Sequence, residues 1–362
     1  KKALLQKGML LYNDDEYDKA IETYKLVIVS YLNSEEANTA LEGLEKIYVQ
    51  TNRVNEYTAY TETLGSKIKI SIEKEDSLNY AAAERQYLYG NTKQAAINFR
   101  QYLEQYPQGN YNVKARYYLA DSYYMLNEKD FALEEYKLLL KQVGNPYMEE
   151  ALAKAAEISY DQKNFTEALE FFTQLKATAS SKDNKIASLL GILRCNDFLN
   201  NPHGTIAIAN EMMQDKRLDI DLVRESRYRR AKAYLSLNEQ QEAITDLIEL
   251  SYETRHIYGA ECNYLLAHYY FINKDYANAE KTVFNFIEKN TPHQYWLARS
   301  FILLADLYLS QEDDFQAKQY LLSLKENYKT QDSIQDMISD RLAEIEIREA
   351  EEIINIEDSL EQ

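Results

Sequence analysis

The chain has 362 residues, 41 Lys and Arg against 59 Asp and Glu for a formal charge of −18, and 45% hydrophobic residues. Its 9 Gly and 4 Pro are too few for a β-sandwich, a collagen or a low-complexity chain. The acidic balance lacks the positive footprint that phosphate backbones and anionic bilayers attract. No apolar run approaches the roughly 18–20 residues that span a bilayer. The N-terminus shows no basic, apolar, small-residue signal layout; Lys1-Lys2-Ala3-Leu4-Leu5 reads as the inside of an amphipathic helix, so a processed protein or an excised piece is expected, with any targeting segment upstream.

From that helix onward one unit recurs. A turn is followed by an aromatic, two further residues, a small residue and an apolar one, as in Asn13 to Ile21, Asn127 to Leu133, Lys163 to Leu169, Asn273 to Ala279 and Glu312 to Ala317. Internal repetition has to be identified before local structure is read. Anchored on the small residue, the units fall at Ala20, Tyr57, Ala95, Ala132, Ala168, Thr205, Ala243, Ala279 and Ala317, spaced 36 to 38 residues apart. Tyr57 and Thr205 are degenerate anchors. Apolar residues at helical spacing flank each turn, for example Tyr117, Ala120 and Tyr124 before it and Ala132, Tyr136 and Leu139 after it. Each unit is therefore a helical hairpin. Twelve positions before the anchor stands Gly8, Ala83, Ala120, Ala156, Ala231, Ala267 or Ala305, small enough to let two helix backbones approach closely. Turns are expected near 14–16, 90–93, 127–130, 162–165, 238–241, 273–276 and 312–314.

The order along the chain is then two hairpins over residues 1–65, an extended connector over 66–76, seven hairpins over 77–330 and an acidic C-terminal helix over 331–362. The connector rests on Lys67-Ile68-Lys69-Ile70-Ser71-Ile72-Glu73-Lys74, which alternates with period two like a strand. In the last segment eleven acidic residues meet only Arg341 and Arg348, while Ile334, Met337, Ile338, Leu342, Ile345, Ile353, Ile356 and Leu360 keep helical spacing. Its first part suits a cap, since a terminal repeat needs a polar outer face; beyond about Arg348 it is expected to protrude or to pack on something outside the chain.

Gly8, Ala20, Tyr24 and Val27, and again Ala95, Phe99, Tyr102 and Pro107, resemble the small and large positions of the tetratricopeptide repeat, although the period here is about 37 rather than 34. The run Ala96 to Tyr111, followed by Ala115 to Tyr124, is similar to the repeat units of Gram-negative periplasmic proteins such as the Tol–Pal coordinator family and the outer-membrane assembly lipoproteins. The resemblance implies an all-α, right-handed superhelical solenoid of about nine hairpins plus a C-terminal capping helix, acting as a non-catalytic protein-binding scaffold. It also implies a periplasmic or envelope-associated location.

Residues for chemistry are sparse. His203, His256, His268 and His293 lie in different hairpins or loops, no Cys-x-x-Cys or His-x-x-x-His pair occurs, and there is no Gly-rich phosphate loop or nucleophile motif. No catalytic residue, cofactor or metal is expected. Cys195 and Cys262, two units apart, are too far separated for a disulfide and read as buried small hydrophobes.

Tyrosine is the informative excess, at 32 residues. By resemblance to the family, positions fifteen and eight before the anchor face a concave groove, and position eleven lies between them. Tyr80, Tyr87, Tyr117, Asp121, Tyr124, Tyr160, Tyr228, Tyr264 and Phe271 occupy such positions and are expected to form one partner-binding ladder. Aromatics there look superfluous to hairpin stacking, and with Glu84, Asp121 and Glu157 they favour a protein or peptide with basic and apolar side chains. The carboxylate clamp of some such repeats, built from Lys and Asn at the groove positions, is not expected, because acid here would repel a partner's terminal carboxylate. Nucleic acid and direct membrane insertion are not expected. Two alternatives stay open: a peptide-sensing arm of a signalling protein, or the repeat domain of an enzyme whose catalytic part lies upstream.

Overall fold

The computed structural model describes residues 1–66 and 68–360, with side chains up to Glu351. It is all-α, and among the described residues there is no strand. Two compact units divide it, Lys1–Lys185 and Ile186–Gln362.

Unit 1 holds five helical hairpins: α1 (Lys2–Asn13) with α2 (Tyr17–Ser30), α3 (Glu35–Gln50) with α4 (Val54–Thr63), α5 (Ile72–Leu88) with α6 (Thr92–Gln105), α7 (Asn112–Met125) with α8 (Lys129–Leu140), and α9 (Met148–Asp161) with α10 (Phe165–Thr178). The unit boundary falls inside α11 (Lys182–Phe198). Unit 2 continues with α12 (Pro202–Gln214), α13 (Ile220–Ser236) and α14 (Gln240–Ser251), α15 (Ile257–Ile272) and α16 (Tyr276–Glu288), α17 (Gln294–Leu309) and α18 (Asp314–Asn327), and ends on α19 (Ser333–Leu360). Every expected turn falls at the junction between the two helices of one hairpin, and all but 14–16 run one or two residues into the second helix.

What makes the turns alike is a backbone conformation that residue type signals only in part, since Lys163, Lys274 and Glu312 share it with Asn, Asp and Gly. Asp15, Asn52, Gly90, Asn127, Lys163, Asn200, Asn238, Lys274 and Glu312 all have φ between +52° and +77°. Each stands five residues before its anchor, the degenerate anchors Tyr57 and Thr205 included, and those two side chains are themselves buried. A left-handed residue closes the first helix and reverses the chain in three residues; Gly and Asn tolerate this best, and a branched side chain tolerates it worst. We therefore expect Asn127→Val to cost about 1–2 kcal/mol and Asn127→Gly to be neutral or slightly stabilising. Urea unfolding followed by far-UV circular dichroism will check both; equal midpoints would show that the turn does not demand this conformation.

The small residues twelve before the anchor are buried, Ala83, Ala120, Ala156, Ala231 and Ala305 completely. Gly8 shows the steric reason. A Cβ added there would stand 2.5 Å from Cε1 of Tyr24, and one added at Gly43 would stand 2.8 Å from the same ring. The Tyr24 ring of α2 thus lies between glycines of α1 and α3, and the core of the first two hairpins builds outward from it through Val27, Ile28, Leu44, Ile47 and Tyr48.

One boundary is corrected. The period-two stretch forms a connector only as far as Ser71, whose side chain accepts from the Lys74 N–H and caps α5. Residues 72–76 are helical, so the expected connector over 66–76 is five residues too long; Lys67 lies outside the described residues. Ile72 is 75% exposed on the first helical turn, which is why the alternation continues into the helix without marking a strand.

At the other end Ile334, Ile338, Leu342 and Ile345 are buried with α17 and α18 residues in one cluster. Arg341 bridges to Asp306, and Lys318 holds Glu349 at 2.6 Å, so packing reaches at least that residue. The side chains of Ile353, Ile356 and Leu360 lie outside the described residues.

Candidate protein-binding surface

Six of the nine expected site residues belong to unit 1 and three to unit 2. In unit 1 the position fifteen before the anchor turns its ring onto the start of the following hairpin. Tyr80 stacks on Tyr111 with centroids 4.5 Å apart and planes 9° from parallel, and Tyr117 stacks on Tyr147 at 4.1 Å and 8°. Tyr111 and Tyr147 are the N-cap residues of α7 and α9. Eight before the anchor, the ring stays half-buried and the hydroxyl reaches forward. Tyr87 donates to Asp121 at 2.6 Å and Tyr124 donates to Glu157 at 2.5 Å, each linking one first helix to the next. Tyr160 is half-buried and meets Phe165 of its own hairpin edge-on at 5.4 Å.

Unit 2 repeats the first geometry. Tyr228 stacks on Tyr258 at 4.2 Å and 10°, and its hydroxyl donates to Glu261 at 2.7 Å. Tyr264 lies 5.7 Å from Trp296 and accepts from Arg299. Phe271 is half-buried beside Tyr276 at 6.0 Å.

These contacts overturn the view that the aromatics are superfluous to stacking. Tyr80, Tyr228 and Tyr264 are buried, at 2%, 9% and 8% exposure, and act as joints between successive hairpins. Each such aromatic pair contributes about 0.5–1.5 kcal/mol beyond its buried area. The reason is geometric: an aromatic ring fifteen before the anchor lies against the start of the following hairpin, as Tyr80, Tyr117, Tyr228 and Tyr264 all do. The receivers Tyr111, Tyr147, Tyr258 and Trp296 escaped sequence reading, although the offset of 30 or 31 residues from Tyr80, Tyr117 and Tyr228 was there to be found.

Burial, then the hydrogen bond to Asp121, raises the Tyr87 phenol above its ordinary value, and burial pushes Tyr117 up to about 12. Both stay neutral donors at physiological pH. The carboxylates between the rings differ in their partners. Glu84 accepts from Tyr80 and from Lys114 at 2.8 Å, and Glu157 is 3.4 Å from Lys154. Lys129 and Lys154 also stand 3.5 and 3.9 Å from the Tyr124 ring centroid. Asp121 is half-buried, accepts from Tyr87 and has no cationic partner among the described residues. The surface of unit 1 therefore offers half-buried faces of Tyr87, Tyr117 and Tyr124 around one carboxylate whose charge is not offset.

Elsewhere the chemistry is quiet. Among the described residues no group of three or more His, Cys, Asp or Glu is placed to hold a metal. Cys195 and Cys262 are buried free thiols; burial pushes Cys195 up to about 11 and Cys262 further still, which keeps both as unreactive thiols. Among the described residues no helix is long and apolar enough to cross a membrane.

Comparison with known proteins agrees with the repeat reading. The tetratricopeptide repeat family model matches residues 2–34. No curated protein matches the sequence. Among solved structures, a tetratricopeptide repeat protein from Parabacteroides merdae is 15% identical, covering 94% of this chain and 98% of its own with a TM-score of 0.29. PilF of Pseudomonas aeruginosa is 17% identical over 75% of this chain and 100% of its own, TM-score 0.31. PilW, a type IV pilus biogenesis factor, is 14% identical over 61% and 96%, TM-score 0.31. At these identities and scores the likenesses carry nothing about partner, pathway or compartment.

Proposed function

We propose that the chain is a non-catalytic protein-binding scaffold, and that Tyr87, Tyr117, Asp121 and Tyr124 of unit 1 receive a partner segment carrying a basic side chain beside aromatic or apolar ones. The carrying observation is Asp121, a half-buried carboxylate without a cationic partner among the described residues, set among half-buried tyrosine rings. An incoming Lys or Arg would gain a charge partner there at little cost in rearrangement, because Tyr87 already fixes the carboxylate. Tyr80, Tyr228 and Tyr264 serve the scaffold by locking hairpins together, and Tyr160 and Phe271 extend the aromatic rows. An envelope location is supported by the similarity of residues 96–124 to periplasmic repeat units.

Asp121→Asn is the appropriate test, since the amide oxygen can still accept from Tyr87 while the charge is gone. Peptides of about twelve residues with Lys or Arg beside Phe, Tyr or Leu are titrated against wild type and variant. The best binder is expected to weaken about fivefold at low salt, matching roughly 1 kcal/mol for one ion pair, and to lose part of its salt dependence. Asp121→Lys is a poorer probe, because breaking the hydrogen bond from Tyr87 to a charged group adds a folding cost of about 1.5–3 kcal/mol. Unchanged affinity in both Asp121→Asn and Tyr117→Ala would remove this surface from the function.

A further inference from the structure

Unit 2 carries a feature that the aromatic rows do not use. Between the start of α13, the loop from α14 to α15 and the C-terminal end of α16 opens a cleft of about 580 Å³, lined among others by Arg224, Tyr252, Glu253, Arg255, His256 and Lys289. Three cations face one acid in a protein of net charge −18. Arg224 is offset by Glu253 at 2.5 Å and by Asp221. Arg255 and Lys289 have no acidic partner among the described residues, and the Lys289 ammonium stands 5.3 Å from the centroid of the exposed Tyr252 ring.

The loop that carries Arg255 is fixed. The Thr254 carbonyl accepts from the Thr291 hydroxyl at 2.7 Å, and the Arg255 carbonyl is 3.0 Å from Nε2 of His293. Gly259 comes so close that a Cβ there would stand 2.2 Å from the Glu253 carbonyl oxygen. His256 is the N-cap of α15, and its Nδ1 accepts from the Tyr258 N–H. With Nδ1 accepting, the neutral imidazole carries its proton on Nε2 and can donate. The first turn of a sixteen-residue helix adds its partial positive charge at the same place.

We propose that this cleft binds an oxyanion, a carboxylate or a phosphate group, held by the Arg255 guanidinium and the Lys289 ammonium with His256 as a further donor. Arg supplies a planar fork that fits two oxygens, and Lys a point charge. Preorganisation of the backbone is the argument for a site over a pair of loose surface charges: the two loop carbonyls are already satisfied, so the loop that carries Arg255 needs no further ordering and only the exposed side chains are immobilised on binding. The site is independent of the unit 1 surface and stands or falls without it.

Calorimetric titration of the full chain at low salt uses two probes, inorganic phosphate and a tetraglutamate peptide. Saturable binding of phosphate alone assigns the cleft to a small anion, and tighter binding of the peptide assigns it to an acidic protein segment. In either case Arg255→Ala with Lys289→Ala is expected to reduce affinity at least tenfold, and Arg255→Lys with Lys289→Arg to retain most of it. Lys93→Ala with Lys141→Ala, in unit 1, should change nothing. Among the described residues neither the Arg255 nor the Lys289 side chain makes a hydrogen bond, so the urea midpoint should hold; were the alanine pair unstable, the same loss is sought in Arg255→Gln alone. Absence of binding by both probes, or full affinity in the alanine pair, would overturn the proposal.

Discussion

Asp246→Ala is expected to destabilise unit 2 by about 2–3 kcal/mol. Arg230 lies thirteen residues before its anchor, where the other internal hairpins place Leu44, Ala82, Leu119, Ala155, Ile192, Leu266 and Leu304. A guanidinium therefore occupies an apolar position, and it is tolerated because Asp246 of α14, 2% exposed, accepts from its Nε at 2.8 Å and its Nη2 at 2.7 Å, while Asn210 of α12 accepts from Nη1. Removing one partner of a buried pair leaves an uncompensated charge and costs roughly 3–5 kcal/mol; here the Arg230 side chain keeps 20% exposure and so part of its hydration, which sets the cost at or just below the low end of that range. The same reasoning predicts that Arg230→Leu with Asp246→Leu recovers most of the loss, since hydrophobic replacement of a buried pair is often neutral or stabilising. Trp296 is the one tryptophan and belongs to unit 2, so its fluorescence during urea unfolding reads this unit directly. A single variant within 0.5 kcal/mol of wild type, or a double variant worse than the single, would show that the pair is not what holds α12, α13 and α14 together.

Repeat length and turn positions were legible in the sequence because they depend on local demands repeated nine times. A left-handed residue five before the anchor in all nine units and a small residue twelve before it in seven leave a trace in residue choice, and where the anchor is Tyr57 or Thr205, with Glu45 or Leu193 in place of the small residue, Asn52 and Asn200 keep the turn. The function of the tyrosines was not legible in the same way. Periodicity assigns a residue to a face of its own helix; it does not say what the neighbouring hairpin sets opposite that face. Tyr80 and Tyr117 occupy equivalent positions and stack alike on the following hairpin, yet the first is buried and the second half-buried; Tyr80 alone also meets two rings of its own second helix, Phe99 at 6.1 Å and Tyr102 at 5.9 Å. The connector failed for a related reason. The alternation of Lys67 to Lys74 fits a strand and equally well a short connector followed by an exposed first helical turn, and Ser71, a good N-cap, was the sign that favoured the helix.

Legibility also separates the two binding readings. Asp121 was found because it shares a register with tyrosines. The cleft of Arg255 and Lys289 lies on a loop and a helix end, where the repeat imposes no residue type, and no periodic argument could have reached it. Loops positioned by a rigid scaffold are where such sites concentrate.

Ala120→Leu and Ala267→Leu test the packing rule on which both readings depend, and each is expected to cost about 1–3 kcal/mol. Ala120 has no exposed surface and Ala267 has 1%. Ala267 sits in a cluster with Tyr264, Val283, Leu303 and Leu304, so a larger side chain there presses on the cluster that holds the ring meeting Trp296. Native interiors leave little room for three added carbons, and the strain appears as off-rotamer side chains or shifted helices. The loss in Ala267→Leu should be visible in the Trp296 emission before unfolding as well as in the midpoint; for Ala120→Leu, in unit 1, far-UV circular dichroism is the readout. Ala343→Leu supplies the control, because Ala343 is exposed on α19 and the same substitution in open space should stay within about 0.5 kcal/mol. If all three variants unfold together with wild type, close approach of the paired helices is not what the small residues secure, and the recurrence of Gly8, Ala83, Ala120, Ala156, Ala231, Ala267 and Ala305 would need a different cause.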